Sequence, residues 1–168
     1  MKKAIIVLSI GALSGVFFMG TFLHFLAVIA FGLYGLAPFG AFLLLYTLFA
    51  ARRGEYPSWL KPTWINWSLL VAALTLSFGV GKATGVYQIR TAREYVARAV
   101  PILDEIKERE GSYPQKLPEA LGKPPRLLRD PYGYTSRGDT FQFTYGDIQG
   151  LMGGYKFNSK KRQWIYWD

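Results

Sequence analysis

The sequence predicts an α-helical membrane part of about three spans followed by a small α+β domain, in which one long helix packs on a three-stranded antiparallel sheet. Three observations lead there. From Ala4 to Ala51 the 168-residue chain contains no Asp, Glu, Lys or Arg. A second apolar stretch runs from about Thr63 to Gly81, bounded by Lys61-Pro62 and Lys82. Beyond Lys82 the composition turns polar, with helical and then strand periodicity.

A helix that crosses a hydrocarbon core of about 30 Å needs roughly 20 apolar residues. The 48 residues from Ala4 to Ala51 would form a single helix of about 72 Å at ~1.5 Å per residue. That stretch must therefore fold back once. Two apices fit: the Gly20–Ala27 region, which halves the run, and Gly32–Pro38, which has stronger breakers but leaves a short second span. The turn is expected between Gly20 and Pro38, with spans at about 4–24 and 28–51. The third span, 63–81, opens with Trp64 and Trp67 after Trp59, and Tyr87 lies just past its far end. Trp and Tyr gather at membrane interfaces because their rings are apolar with one polar atom. The transmembrane region is thus 1–85 and the soluble domain 86–168.

Short-loop charges set the orientation. Lys2 and Lys3 precede the first span, and Arg52, Arg53 and Lys61 stand against Glu55 alone between the second and third. Both positions read as cytoplasmic, and the uncharged hairpin tip reads as external. The expectation is a multi-pass protein of the inner (cytoplasmic) membrane with an extracytoplasmic C-terminal domain. A cleavable signal ending at Ala12-Leu13-Ser14 is the rival reading, but Val16-Phe17-Phe18 follows with no polar start. Net charge is +9. Five basic residues flank the spans, and the remainder are interspersed with acidic ones, so no nucleic-acid partner is expected.

The chain has no Cys and one His. Thiolate nucleophiles, disulfides and Cys-based metal sites are excluded, and a single His excludes most His-based metal sites and any Ser-His-Asp triad that needs an exposed His. His24 lies in the apolar run, where an ionisable group is costly. It reads as an interfacial residue, with a proton relay or ligand as the sharper alternative. Gly11-Ala12-Leu13-Ser14-Gly15 carries a G-x-x-x-G spacing, which suits close helix packing inside the bundle.

In the soluble part, Ile89, Ala92, Val96, Val100, Leu103 and Ile106 recur at spacings of three and four, one apolar stripe on a helix over roughly Val86–Glu110. Pro101 predicts a kink or break near Ala99–Val100, and Gly111 suits a C-cap. The glycines of the link 79–85 are expected to let this helix flex against the third span. Ser112 to Pro125 holds four prolines and reads as loop. Asp130-Pro131-Tyr132-Gly133 is a turn with Pro preset at its second position. Aromatic and polar residues alternate in Thr140–Tyr145 and Tyr155–Phe157, the mark of half-buried strands. Asn158–Lys161 then turns the chain into Gln163–Trp167.

The order helix, Gly111-Ser112-Tyr113-Pro114, Leu117 and Leu121, Leu128-Arg129-Asp130-Pro131-Tyr132-Gly133-Tyr134, then short strands resembles the soluble domain of type II secretion major pseudopilins. The likeness covers residues 86–168 and implies that Gly111, Tyr113, Pro114, Asp130, Pro131 and Gly133 form a structural motif. The chain departs from that family elsewhere. A pilin-type protein has one N-terminal helix behind a peptidase site and a Glu early in that helix, and neither Lys2-Lys3-Ala4 nor Phe78-Gly79-Val80-Gly81 supplies such a site. The family's calcium ligands are thin here, since Gly146–Gly154 offers only Asp147. No cofactor, metal or catalytic residue is expected.

The functional expectation is a non-enzymatic, membrane-anchored protein that presents its soluble domain to another envelope protein, with Tyr134, Trp164 and Trp167 as candidate contact residues. The alternative is a small transport or channel subunit that uses the hairpin and His24. Asp104, Glu105 and Glu108 could suggest a hydrolase, but they share a highly charged helix segment and read as a solvated face. Arg137-Gly138-Asp139 reads as a loop entering a strand, and Gly150–Gly154 lacks the Lys-Ser/Thr of a phosphate-binding loop.

Overall fold

The computed structural model describes residues 2–130, 132–148 and 153–168. Helix α1 spans Lys2–Phe18, α2 Phe22–Ala30, α3 Ala37–Arg53 and α4 Leu60–Glu110. Strands β1 (Tyr134–Ser136), β2 (Phe141–Gly146), β3 (Gly154–Asn158) and β4 (Gln163–Trp167) follow two short 3-10 turns. The chain divides into two units, Met1–Thr84 and Gly85–Asp168.

Two helical runs are long and apolar enough to cross a membrane by length and composition: Phe22–Arg53, with 32 residues, and the first part of Leu60–Glu110. Helix α1 is apolar but has 17 residues, fewer than the roughly 20 that a span ordinarily needs. Three spans are therefore not established by helix length alone.

The break after α1 falls at Met19–Thr21. Met19 and Gly20 adopt positive φ (52° and 65°), the left-handed geometry that ends helices. Thr21 then caps α2, its hydroxyl accepting from the His24 backbone N–H at 3.3 Å. Gly32–Pro38 does not turn the chain. Pro38 sits in the first turn of α3, where its missing N–H is tolerated. A π-helical turn over Phe31–Leu36 precedes it, and the Trp67 indole N–H donates to the Leu36 carbonyl at 3.0 Å. The helix so keeps its direction through glycines and proline that read as breakers.

Contacts fix the bundle. Gly11 and Gly15 of α1 lie against Ala73 and Ser77 of α4, rising together, so these two helices run parallel. Leu36 and Thr47 meet Trp67 and Trp64, numbers falling as the others rise, so α2–α3 runs antiparallel to α4. A Cβ on Gly11 would lie 2.5 Å from the Ala73 carbonyl oxygen. The G-x-x-x-G spacing thus lets α1 and α4 touch backbone to backbone.

In the second unit the sheet is antiparallel with order β1-β2-β3-β4. It has four strands, not three. The extra one, β1, is only Tyr134–Ser136, hidden in the sequence behind the Asp130 turn, and it pairs with β2 in the register Tyr134 to Phe143. Phe141, Phe143 and Tyr145 of β2 and Phe157 of β3 form one buried face. The α4 residues Ala92, Tyr95, Val96, Ala99 and Leu103 cover it. Small Ala92 and Ala99 admit the rings, and Tyr95 stands edge-on to Phe143, which is 0% exposed. Helix α4 continues through Pro101, so the predicted break does not occur. Ala99 and Leu103, both buried, hold the helix to the sheet on either side of it.

Candidate functional site

The motif residues come together as a loop clamp. Gly111 takes φ 77° and ends α4, its N–H donating to the Lys107 carbonyl at 2.8 Å. Tyr113 is buried with its ring edge-on to Phe141 at 4.7 Å. Its hydroxyl donates to Asp104 Oδ1 at 2.8 Å, and Asp104 Oδ2 accepts from Arg162 Nη1 at 2.7 Å. Burial first, then the bond to Asp104, pushes the Tyr113 phenol above its usual range. The Pro114 carbonyl accepts from the Tyr134 hydroxyl at 2.7 Å, and the Tyr113 carbonyl accepts from Ser136 Oγ at 3.1 Å. Asp130 receives the Tyr132 N–H on Oδ1 at 3.2 Å and the Gly133 N–H on its carbonyl at 2.7 Å. A Cβ on Gly133 would run into the Leu128 carbonyl, so only glycine fits. Pro131 lies outside the described residues. The two sequence motifs therefore lace one loop to β1, and their polar groups are occupied internally.

The three candidate contact residues are not brought together. Tyr134 is on β1, with its ring against Phe143 at 5.1 Å, while Trp164 and Trp167 are on β4 at the opposite edge of the sheet. Tyr134 belongs to the core and the clamp. Trp164 lies on the core-facing side against Phe157 and Tyr145, at 5.6 and 5.2 Å. Trp167 is on the other face, opposite Gly154, and is 41% exposed. What forms a surface is β4 with its surroundings. Among the described residues β4 pairs with β3 alone, so its outer backbone groups face away from the sheet. Tyr166 is 48% exposed. Arg93 on α4 reaches over Tyr155 and Trp164, at 5.6 and 6.0 Å from their ring centres. Exposed Lys160, Lys161 and Arg162 lead into the strand. Arg93 was not singled out by its sequence position, which is that of any solvated helix cation. Only the pairing of β3 with β4 reveals the aromatic shelf beneath it.

In the first unit His24 is packed inside the helical bundle. It is 8% exposed, and its ring stacks on Phe18 at 5.4 Å. Its Nε2 lies 2.9 Å from Ser77 Oγ, which lies 2.6 Å from Ser14 Oγ. Neither serine was foreseen. Their signal was the small-residue repeat Ala73-x-x-x-Ser77-x-x-x-Gly81 facing Gly11, Ser14 and Gly15. Asp104 is absorbed by Tyr113 and Arg162, while Glu105 and Glu108 point to solvent or its border.

Comparison with protein-family models, curated proteins and solved structures yields no match. The site must be read from its own chemistry.

Proposed function

We propose that this protein is a three-span envelope anchor whose soluble α+β unit, pseudopilin-like in its motif order, docks another envelope protein through the open edge of β4. The observation that carries this reading is β4 itself: an edge strand with exposed Tyr166 and Trp167, entered by Lys160, Lys161 and Arg162. An exposed edge presents unpaired backbone N–H and C=O groups, and extended segments add to such edges as a further strand. The basic entry favours a partner segment carrying Asp or Glu. The pseudopilin reading is supported by the clamp between Gly111–Pro114 and Asp130–Ser136.

The test is site-specific photo-crosslinking on the full chain in its native membrane. A photoreactive amino acid at Ile165 or Trp167 is expected to give a defined adduct with one envelope protein, lost with Trp164→Ala. Adducts no stronger than those from exposed Glu108 on α4 would contradict the docking surface.

A second reading, a small transport or channel subunit, is favoured by the buried His24–Ser77–Ser14 chain. Complementation of a deletion strain by residues 1–84 alone would support it, because the docking strand is then absent.

A further inference from the structure

The sheet has a second face, turned away from α4, and a polar pocket lies on it. Side chains alternate along a strand. While Phe141, Phe143 and Phe157 turn to the core, Thr135, Gln142 and Asn158 stand in one row on the other side, paired across β1, β2 and β3. Lys156, two residues before Asn158 on β3, shares that side. All four border a pocket of about 330 Å³, at the lower end of the roughly 300–1,000 Å³ used by small-molecule sites. Arg137, between β1 and β2, and Lys160, just after β3, line it as well. The loop that carries Arg137 is pinned by its backbone. The Arg137 N–H donates to the Thr140 carbonyl at 2.8 Å, and the Gly138 carbonyl accepts from the Tyr113 N–H at 2.8 Å.

The charge of this pocket is uncompensated. No carboxylate lines it, and among the described residues none of its three cations, Arg137, Lys156 and Lys160, forms an ion pair. Asp139, the acid nearest to Arg137 in sequence, is drawn off to Lys107 at 3.6 Å. Acceptors on the lining are engaged too. Asn158 Oδ1 accepts the Lys160 and Lys161 N–H groups at 2.9 and 3.1 Å, and Ser159 Oγ accepts the Phe141 N–H at 3.0 Å. What Asn158 has left to offer is its amide NH2, two donors. Like charges gathered round one concave space repel one another, and an anion seated among them relieves that repulsion. We propose that this pocket binds a phosphate group. The planar guanidinium of Arg137 would take two of its oxygens, with Lys156 and Lys160 as point charges for the others. A carboxylate has only two oxygens and would leave part of this donor set unused. The phosphate can belong to a soluble ester or to a lipid headgroup. This proposal goes beyond the β4 docking reading and shares only Lys160 with it.

The experiment is titration calorimetry on the full chain in maltoside micelles, whose headgroups carry no phosphate, at constant ionic strength. The probes are glycerol phosphate, dioctanoyl phosphatidic acid and succinate, a dianion without phosphate. Saturable binding of glycerol phosphate supports the proposal with a soluble source, and saturable binding of phosphatidic acid alone supports it with a lipid source. In either case Arg137→Gln and Lys156→Gln are each expected to weaken binding about tenfold, the loss of one charge-assisted hydrogen bond. Lys161→Gln removes the same charge from an exposed position outside the pocket and is expected to change binding less than about twofold. Wild type that binds neither phosphate probe would overturn the proposal, as would succinate bound as tightly as glycerol phosphate. Lys161→Gln weakening binding as much as Lys156→Gln would also overturn it, showing diffuse charge instead of a site.

Discussion

Tyr134 shows how one side chain serves both packing and linkage. Its ring fills the core beside Phe141 and Phe143, and its hydroxyl ties β1 to Pro114. Burial holds its phenol at about 12, above the usual 10.0. The folded state thus favours the neutral phenol more than the unfolded chain does. Its contribution to stability is whole below pH 10.0 and is lost as pH rises through about 12. Tyr134→Phe is expected to cost about 1 kcal/mol near neutrality through the lost hydrogen bond. It is also expected to flatten the alkaline fall in stability over that window. Melting followed by circular dichroism from pH 8 to 12 checks both. A mutant whose alkaline profile parallels the wild type would show that Tyr134 does not drive it. At Gly15 the argument is steric: a Cβ there would strike the Ser77 carbonyl. Gly15→Leu is expected to push α1 off α4 and lower the melting temperature of the detergent-solubilised chain by several degrees or more. Ala12→Leu, on the same helix, should be nearly neutral, because its position is half-exposed.

Among the elements, those written in local periodicity were legible. The stripe Ile89–Leu103 and the alternation Phe141, Phe143, Tyr145 named the helix face and the central strand that form the core. β1 was not legible, because three residues beside a turn carry no period. Its pairing is decided by Tyr134 OH reaching Pro114 and Ser136 Oγ reaching Tyr113, contacts 20 and 23 residues apart in sequence. The Gly32–Pro38 segment misled for a different reason. Its breakers are real, but Pro38 falls in the first turn of α3 and the backbone runs on through a π-helical turn over Phe31–Leu36. Pro101 misled likewise, since tertiary packing of Ala99 and Leu103 outweighs one lost helical hydrogen bond. The site divides along the same line. Trp164 and Trp167 could be picked out as aromatics on a final strand. Arg93 over Trp164, and Ser14 and Ser77 beside His24, appear only when separate segments meet.

For the whole molecule, the central claim concerns which side of the membrane holds the soluble unit. The helical unit is polarised along its axis. Lys2 and Lys3 open α1, where Lys3 bonds Asn66 near the start of α4, Arg52 and Arg53 close α3, and Lys61 opens α4, so five basic residues share one end. The Met19–Thr21 turn is at the other end, where Gly20 meets Gly81 beside Lys82. Basic ends stay in the cytoplasm. In the proposed three-span arrangement α4 would leave on the external face, where the proposed partner of β4 would be found. Reporter fusions after Asp168 measure this most directly, using alkaline phosphatase and, separately, a fluorescent protein that matures only in the cytoplasm. The account predicts active phosphatase and a dark fluorescent fusion. A bright fluorescent fusion with inactive phosphatase would contradict it, placing the soluble unit in the cytoplasm and overturning either the span count or the charge argument.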